Sequence, residues 1–131
     1  MITRVSTVCI FVADQDRAKA FYTEKLGFEL HTDQPLFPGA PTRWISVAPA
    51  GSNTEVILYL PDENWAHYRQ VVGKSQAVTF DVTDMAATVA DLKSRGVVFT
   101  AEPDVQPWGT NAMIQDSEGN TLLLVEQPAG R

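Results

Sequence analysis

A strand followed by a capped helix occupies residues 8–28, and this stretch constrains the fold more than any other. β-branched residues alternate with other residues from Val8 to Val12, which is the period of a half-buried strand. Asp14 follows at the position of a helix N-cap, and apolar residues then recur at helical spacing. Gly27 stands where a left-handed residue ends a helix. The stretch therefore predicts one complete strand–helix unit.

The same unit recurs in the second half of the chain, beginning at Val78. Asp84 follows Asp14 by 70 positions, and Gly96 follows Gly27 by 69 positions. Several strand-like segments come after each predicted helix. The repeat predicts that the chain consists of two copies of a βαβββ module.

Length and composition limit the number of domains. A chain of 131 residues with 44% hydrophobic residues can bury one ordinary core. We therefore predict an α+β fold and a single domain over residues 1–131. Its two modules are expected at about 3–60 and 76–126, joined by a linking helix over residues 62–72.

Two segments that contain prolines predict irregular loops. His31–Pro41 contains three prolines and a glycine, and Glu102–Thr110 is also interrupted by proline. The first loop carries Leu36 and Phe37, and apolar residues at a loop tip suggest a lid over a cavity. Packing of the loop onto its own domain is the commoner explanation of such residues.

Charge, cysteine content and apolar runs limit the partners, disulfides and location that the sequence allows. A net charge of −6 and a pI of 4.7 argue against nucleic acid and anionic membrane surfaces, whose phosphates attract Lys and Arg. Cys9 is the one cysteine, which excludes an internal disulfide. The sequence contains neither a signal peptide nor an apolar run of about 20 residues. We expect a soluble cytoplasmic protein without a nucleic-acid or membrane partner.

Four predicted strands have one apolar face and one mixed face. The apolar faces, predicted to pack under the helices, are Val8, Ile10 and Val12; Ile45 and Val47; Val78, Phe80 and Val82; and Ala112 and Ile114. The mixed faces are Thr7, Cys9 and Phe11; Thr42, Trp44 and Ser46; Ala77, Thr79 and Asp81; and Asn111, Met113 and Gln115. Small, polar and aromatic residues in mixture suggest a sheet that curls around a ligand. A partly wet surface or a contact between two chains explains the pattern equally well.

Two motifs carry a resemblance to a known family. FVADQDRAKAFYTEKLGF in the first half and DSEGNTLLLVE in the second resemble the glyoxalase, bleomycin-resistance and extradiol-dioxygenase superfamily, also called the vicinal oxygen chelate fold. The resemblance covers about Thr3 to Glu126. It implies a curved, cup-shaped mixed sheet with the helices outside, and a homodimer in which halves of two chains complete each cup. The fold hosts metal enzymes and metal-free binding proteins alike, so it does not settle the function.

The family's metal ligands can be carried over to four positions of this chain. The resemblance places them at Thr7, Leu58, Ala77 and Leu123. Leucine and alanine have no donor atom, and zinc, nickel or iron needs about three donors from His, Cys or carboxylate. Gln76 and Glu126 lie close to two of these positions, but a shift by one residue turns a side chain to the other face of the sheet. We therefore predict no metal ligands and no cofactor.

Aromatic residues suggest a binding surface instead. Trp44 lies on a mixed strand face, Trp65 and Tyr68 lie on the linking helix, and Trp108 precedes the penultimate predicted strand. The stretch VQPWGTNAMIQDSEGN resembles the segment of bleomycin-resistance proteins in which a tryptophan helps to form the drug groove. Each tryptophan could instead fill the core. The predicted ligand-binding residues are Phe37, Trp44, Leu58, Trp65, Tyr68, Asp81, Trp108 and Met113.

The leading hypothesis is a metal-free homodimer that binds a hydrophobic or aromatic small molecule. By resemblance it would sequester a bulky natural product, such as an antibiotic, and so confer resistance on its host. A second hypothesis is a lyase, isomerase or dioxygenase with an atypical or absent metal site, and a donor cluster in the cup would distinguish it. A third is a structural or regulatory module, because an apolar cup can also bind a peptide.

Overall fold

Two four-stranded sheets form the framework of the protein. The computed structural model describes residues 1–75 and 77–128. The first sheet has the order β1-β4-β3-β2 and consists of β1 (Thr7–Phe11), β2 (Glu29–Pro35), β3 (Arg43–Ala48) and β4 (Glu55–Tyr59). The second has the order β5-β8-β7-β6 and consists of β5 (Val78–Asp81), β6 (Val98–Gln106), β7 (Gly109–Gln115) and β8 (Thr121–Glu126).

Strand pairing repeats between the two sheets. The first strand of each module pairs in parallel with the last, β1 with β4 and β5 with β8. The other pairs, β2–β3, β3–β4, β6–β7 and β7–β8, are antiparallel. This arrangement confirms the predicted α+β fold with two tandem βαβββ modules.

The helix of each module begins and ends close to where the sequence predicts. Helix α1 (Gln15–Ala20), which continues as a π-helical turn over Phe21–Lys25, is capped by the Asp14 side chain accepting from the Arg17 amide at 2.9 Å. Helix α2 (Met85–Ser94) is capped in the same way by Asp84. Gly27 and Gly96 adopt φ angles of 75° and 82°, so both helical segments end in the left-handed conformation that glycine tolerates best. No helix in the described ranges is long and apolar enough to cross a bilayer.

Both predicted loops contain strand residues, so this part of the prediction was wrong in part. β2 takes up residues 31–35 of the His31–Pro41 segment, and the remaining residues 36–41 form the predicted irregular loop. β6 together with the start of β7 takes up most of Glu102–Thr110. The two strands lie at the edges of their sheets, and an edge strand tolerates proline because one side of it needs no N–H donors. Bulges interrupt the register of both strands.

The main core lies between the sheets and the helices and includes residues of both halves. Every residue of the predicted apolar faces belongs to this core or packs against it. The rings of Phe28 and Phe80 meet across the two halves with centroids 5.2 Å apart. Burial of aliphatic side chains from both modules therefore stabilises the halves jointly.

A linking helix lies within the predicted range 62–72, but it is not a regular α-helix. Glu63–Val71 forms a 3₁₀ helix with a kink at Trp65, and the Asp62 side chain makes no capping hydrogen bond. Gly73 follows with a φ of 78°, and a Cβ atom there would lie 2.8 Å from the Glu118 carbonyl oxygen. Glycine is thus required where the linker passes the turn between β7 and β8.

The turn between β7 and β8 also joins the second half to the beginning of α1. Glu118 Oε1 accepts hydrogen bonds from the backbone amides of Ala13 and Asp14, both at 2.9 Å. Arg17 Nε donates to Glu118 Oε2 at 2.7 Å, and the Glu118 side chain is 0% exposed. Burial acts to raise the pKa of Glu118, but the hydrogen bonds from Arg17, Asp14 and Ala13 outweigh it and lower the pKa below its ordinary value.

We expect Glu118→Gln to lower the free energy of unfolding at neutral pH by about 1–3 kcal/mol, because charge-assisted hydrogen bonds are lost from a buried site. The depressed pKa means that this stabilisation is present above the ordinary carboxyl pKa and is lost as pH falls through the folded-state value. Urea unfolding over a pH series measures both effects.

Glu102→Gln is the matched control, because Glu102 is 61% exposed in its ion pair with Lys93. A stability difference between the wild type and Glu118→Gln that stays constant down to about pH 3 would contradict the electrostatic role of Glu118.

Candidate functional site

A cavity of about 680 Å³ lies over the mixed face of the first sheet. It is lined by Cys9, Phe11, Leu36, Trp44, Tyr59, Trp65 and Tyr68. Strands β1, β3 and β4 supply the floor, because their side chains alternate between this face and the core. The linking helix supplies the roof, and the segment after β2 closes one side through Leu36.

Aromatic contacts hold the roof against the floor. The ring of Phe11 stacks on Tyr68 with centroids 4.4 Å apart and planes inclined by 11°. Phe11 also meets Tyr59 edge to face at 6.4 Å, and Trp65 lies 5.7 Å from Tyr68. Phe11, Ile57 and Tyr59 form a second, smaller core on this side of the sheet. The site is therefore a cluster of aromatic rings with adjacent empty volume.

Hydrogen bonds from the second half fix the floor and the linker. Asn120 Nδ2 donates to the Phe11 carbonyl at 3.1 Å, and Asn120 Oδ1 accepts from the Ser75 amide at 3.1 Å. The Phe11 amide donates to Ser75 Oγ at 3.0 Å. Asn120 is 1% exposed and also donates to Asp116 Oδ2 at 3.0 Å. The buried side-chain amide of Asn120 thus holds both β1 and the segment that follows the linking helix.

Two titratable groups of the lining, Cys9 and Tyr59, are protonated near neutral pH. Burial raises the pKa of the Cys9 thiol above its ordinary value. Burial, followed by the charge of Asp62, raises the pKa of the Tyr59 phenol. A ligand in the cavity therefore meets a neutral thiol, a neutral phenol and a lining composed mainly of aromatic rings.

The structure brings together three of the eight predicted ligand-binding residues. Trp44, Trp65 and Tyr68 all line the cavity. Phe37 does not line it, and its 58% exposed side chain lies one position beyond Leu36, which does. The loop thus contributes an apolar residue to the cavity, as expected of a lid, through a different side chain.

Leu58 is a correction to the predicted site. Its side chain is 0% exposed in the main core, on the helix side of β4. Ile57 and Tyr59 face the cavity side instead. In the second module, Leu123 on β8 pairs with Thr79 on β5. The equivalent pair in the first module joins Ile57 on β4 to Cys9 on β1. Ile57, and not Leu58, is therefore the counterpart of Leu123.

The remaining predicted residues lie on the second sheet. Trp108 is 49% exposed at the turn between β6 and β7, and Met113 on β7 is 38% exposed. Asp81 on β5 is also exposed and accepts a hydrogen bond from Gln127 Nε2 at 3.3 Å. None of the three lines the aromatic cavity.

The family's metal-ligand positions do not fit a metal here. With the corrected register they hold Thr7, Ile57, Ala77 and Leu123. Glu126 Oε1 accepts from the Met85 amide at 2.6 Å, so it serves the beginning of α2. Gln76 lies outside the described residues. Over the described ranges, no group of three or more His, Cys, Asp or Glu side chains could hold a metal ion.

Cys9, Phe11, Leu36 and Tyr59 line the cavity but are missing from the predicted site. Strand alternation had already placed Cys9 and Phe11 on the cavity side, so a usable signal was present. Tyr59 was missed because the register of β4 was displaced by one residue.

A family model for the glyoxalase/bleomycin resistance protein/dioxygenase superfamily matches residues 4–124. The chain belongs to this superfamily. It is 36% identical to the uncharacterized protein YetH of Bacillus subtilis over 126 residues, covering 96% of this chain and 100% of YetH.

Two solved structures of high similarity show the same fold. UcmS2 is 37% identical, with a TM-score of 0.81, over 95% of this chain and 98% of UcmS2. TnmS3, an antibiotic binding protein from Streptomyces sp. CB03234, is 34% identical, with a TM-score of 0.83, over 97% of this chain and 98% of TnmS3. These similarities confirm the family and fold that the motifs suggested.

The raised pKa of Cys9 leads to a prediction for its reactivity. We expect the rate of alkylation by iodoacetamide to reach half its maximum at a higher pH in the folded protein than in the urea-unfolded chain, because only the thiolate reacts. Mass spectrometry of timed samples measures the rate, and the single cysteine makes the signal specific. An equal or lower midpoint in the folded protein would contradict an apolar setting for Cys9.

Proposed function

We propose that this protein binds and sequesters a bulky, partly aromatic small molecule, such as an antibiotic, and thereby protects its host. The observation that carries the proposal is the cavity of about 680 Å³ lined mainly by aromatic rings. Ligand sites in proteins typically enclose roughly 300–1,000 Å³ and are mostly apolar with few polar groups. The cavity agrees with that description in both volume and lining.

The attainable affinity is sufficient for sequestration. A natural product of roughly 40 heavy atoms at about 0.3 kcal/mol per atom reaches on the order of 12 kcal/mol, which corresponds to a nanomolar dissociation constant. Flat ring systems stacked on Trp44 and Trp65 would supply much of this energy. Holding a toxic compound away from its target requires no chemical step.

Similarity supports the same proposal. TnmS3 is an antibiotic binding protein and shares 34% of its residues with this chain over nearly the full length of both. The residues at the family's metal positions supply no adequate donor set. We therefore propose binding without a metal, and stoichiometric metal in the purified protein would instead favour an enzyme of the superfamily.

Titration with a panel of polycyclic and glycopeptide antibiotics tests the proposal. We expect at least one of them to quench tryptophan fluorescence with saturation, and dialysis against a chelator to leave the affinity unchanged. Trp44→Ala should then weaken binding by about tenfold or more, because it removes a large ring from the cavity wall.

Phe37→Ala is the matched control, since it removes an exposed ring next to the cavity and should change the affinity less than about twofold. Equal losses in both variants would assign the ligand to the outer loop surface. Unchanged affinity in Trp44→Ala would show that the ligand binds outside the aromatic cavity.

We further propose that a homodimer completes the site. The second sheet exposes Val105, Trp108 and Met113, which are 78%, 49% and 38% accessible. Apolar side chains exposed on neighbouring strands are typical of a surface that another chain covers. In such a dimer, Asp81, Trp108 and Met113 of one protomer would lie against the aromatic cavity of its partner.

Mixing two binding-deficient variants tests whether two protomers share each binding site. Trp44→Ala and Trp108→Ala homodimers should both bind weakly, because every cup has lost one ring. A heterodimer of the two variants would contain one cup with both defects and one intact cup, so mixing should restore wild-type affinity in up to about one quarter of all sites. No recovery in a verified heterodimer, or a wild type that sediments as a monomer, would contradict the shared cup.

A further inference from the structure

Asp62 is a half-buried carboxylate that lies behind one wall of the aromatic cavity. The Tyr59 hydroxyl donates to Asp62 Oδ2 at 3.3 Å, and Tyr59 lines the cavity. The Trp65 amide donates to the Asp62 carbonyl at 3.0 Å, and Trp65 lines the cavity as well. Asp62 therefore sits directly behind two walls of the site.

One oxygen of this carboxylate has no partner. Asp62 Oδ1 is inaccessible and accepts no hydrogen bond. No ion pair within 4.0 Å joins Asp62 to a basic group in the described ranges, and the Arg69 guanidinium on the same helix donates instead to the Pro61 carbonyl at 3.5 Å. An uncompensated buried oxygen is costly and calls for a physical explanation.

The cavity would amplify such a charge. None of the seven described lining residues is basic, so no cation of the lining neutralises Asp62, and the rings beside Tyr59 present mainly apolar surface. A charge in such surroundings is screened much less than one at the surface. The hydrogen bond from Tyr59 to a carboxylate also makes the phenol ring more electron-rich, which strengthens its attraction for a cation.

We propose that the cavity contains a subsite for a cationic aromatic group, with Asp62 as the counter-charge and the surrounding rings as the stacking surfaces. Indole and phenol faces attract cations within about 6 Å of the ring centroid. Trp44, Tyr59, Trp65 and Tyr68 offer such faces around a single volume. This inference rests on the proposed binding function and specifies the chemical class of the ligand.

Two flat probes of similar size test the subsite. 10-Methylacridinium carries a permanent positive charge, whereas acridine is neutral at about pH 8, where an ordinary histidine is neutral too. Equilibrium dialysis gives both dissociation constants. We expect the wild-type protein to bind the cation about tenfold or more tightly than the neutral probe.

Asp62→Asn should lower this preference to less than about threefold, by weakening the cation alone. The asparagine amide oxygen can still accept from Tyr59, so the fold should tolerate the change. Glu63→Gln is the matched control, because it removes the same charge from an exposed neighbour and should leave the preference within about twofold. An equal fall in both variants would overturn the proposal in favour of general surface charge.

Salt provides a second test that needs no variant. The preference of the wild type should persist at about 0.5 M salt, because Asp62 Oδ1 is inaccessible to solvent and its charge is less screened than that of a surface group, whose attraction would disappear. Equal affinity for the two probes in the wild type would overturn the cation subsite. Acridine binding that is lost in Trp44→Ala would, in that case, still support the proposed function. No binding of either probe would overturn the cation subsite, and the antibiotic titration would then decide the proposed function separately.

Discussion

The buried carboxylate of Glu118 is the interaction on which the arrangement of the two halves depends. It accepts from two backbone amides at the beginning of α1, although it belongs to a turn in the other module. These amides have no partner within the helix, so a carboxylate there complements both the open donors and the helix dipole. Next to it, Asp116 Oδ2 accepts from the buried Tyr22 hydroxyl at 2.7 Å. One short turn thus satisfies polar groups that would otherwise be buried without partners.

The turn between β7 and β8 also helps to fix the shape of the aromatic cavity. Asn120, at the end of the same turn, holds the Phe11 carbonyl and the Ser75 amide. Phe11 is the ring on which Tyr68 of the roof stacks. The distance between floor and roof is therefore fixed by polar contacts to the second module as well as by packing, which favours a largely pre-formed site.

The two sheets differ in what covers their mixed faces. In the first sheet, the linking helix and Leu36 enclose the aromatic side chains of Phe11, Trp44 and Tyr59. In the second sheet, Met113 on β7 and Trp108 at the turn before it remain accessible. The repeat in the sequence thus leads to two similar sheets, of which the first has a covered mixed face and the second an accessible one. This difference is the physical basis for proposing that the first sheet forms the cavity and that the second contacts another chain.

Local sequence determined the features that depend on a few neighbouring residues. Asp14 and Asp84 cap helices and Gly27 and Gly96 end them, because capping and left-handed conformations depend on nearby backbone groups alone. Strand alternation likewise separated the core face from the mixed face. The matching motifs in the two halves then identified the superfamily fold.

Only the tertiary structure decided the features that depend on distant partners. β2 and β6 are strands despite their prolines because each pairs with one neighbour at a sheet edge. Pairing with β1 fixed which residues of β4 face the cavity, and a shift of one residue had placed Leu58 there instead of its neighbours Ile57 and Tyr59. Trp44 and Tyr68 came together because the chain between them folds back over the sheet. Strand register and chain closure are non-local, so no spacing within the sequence specifies them.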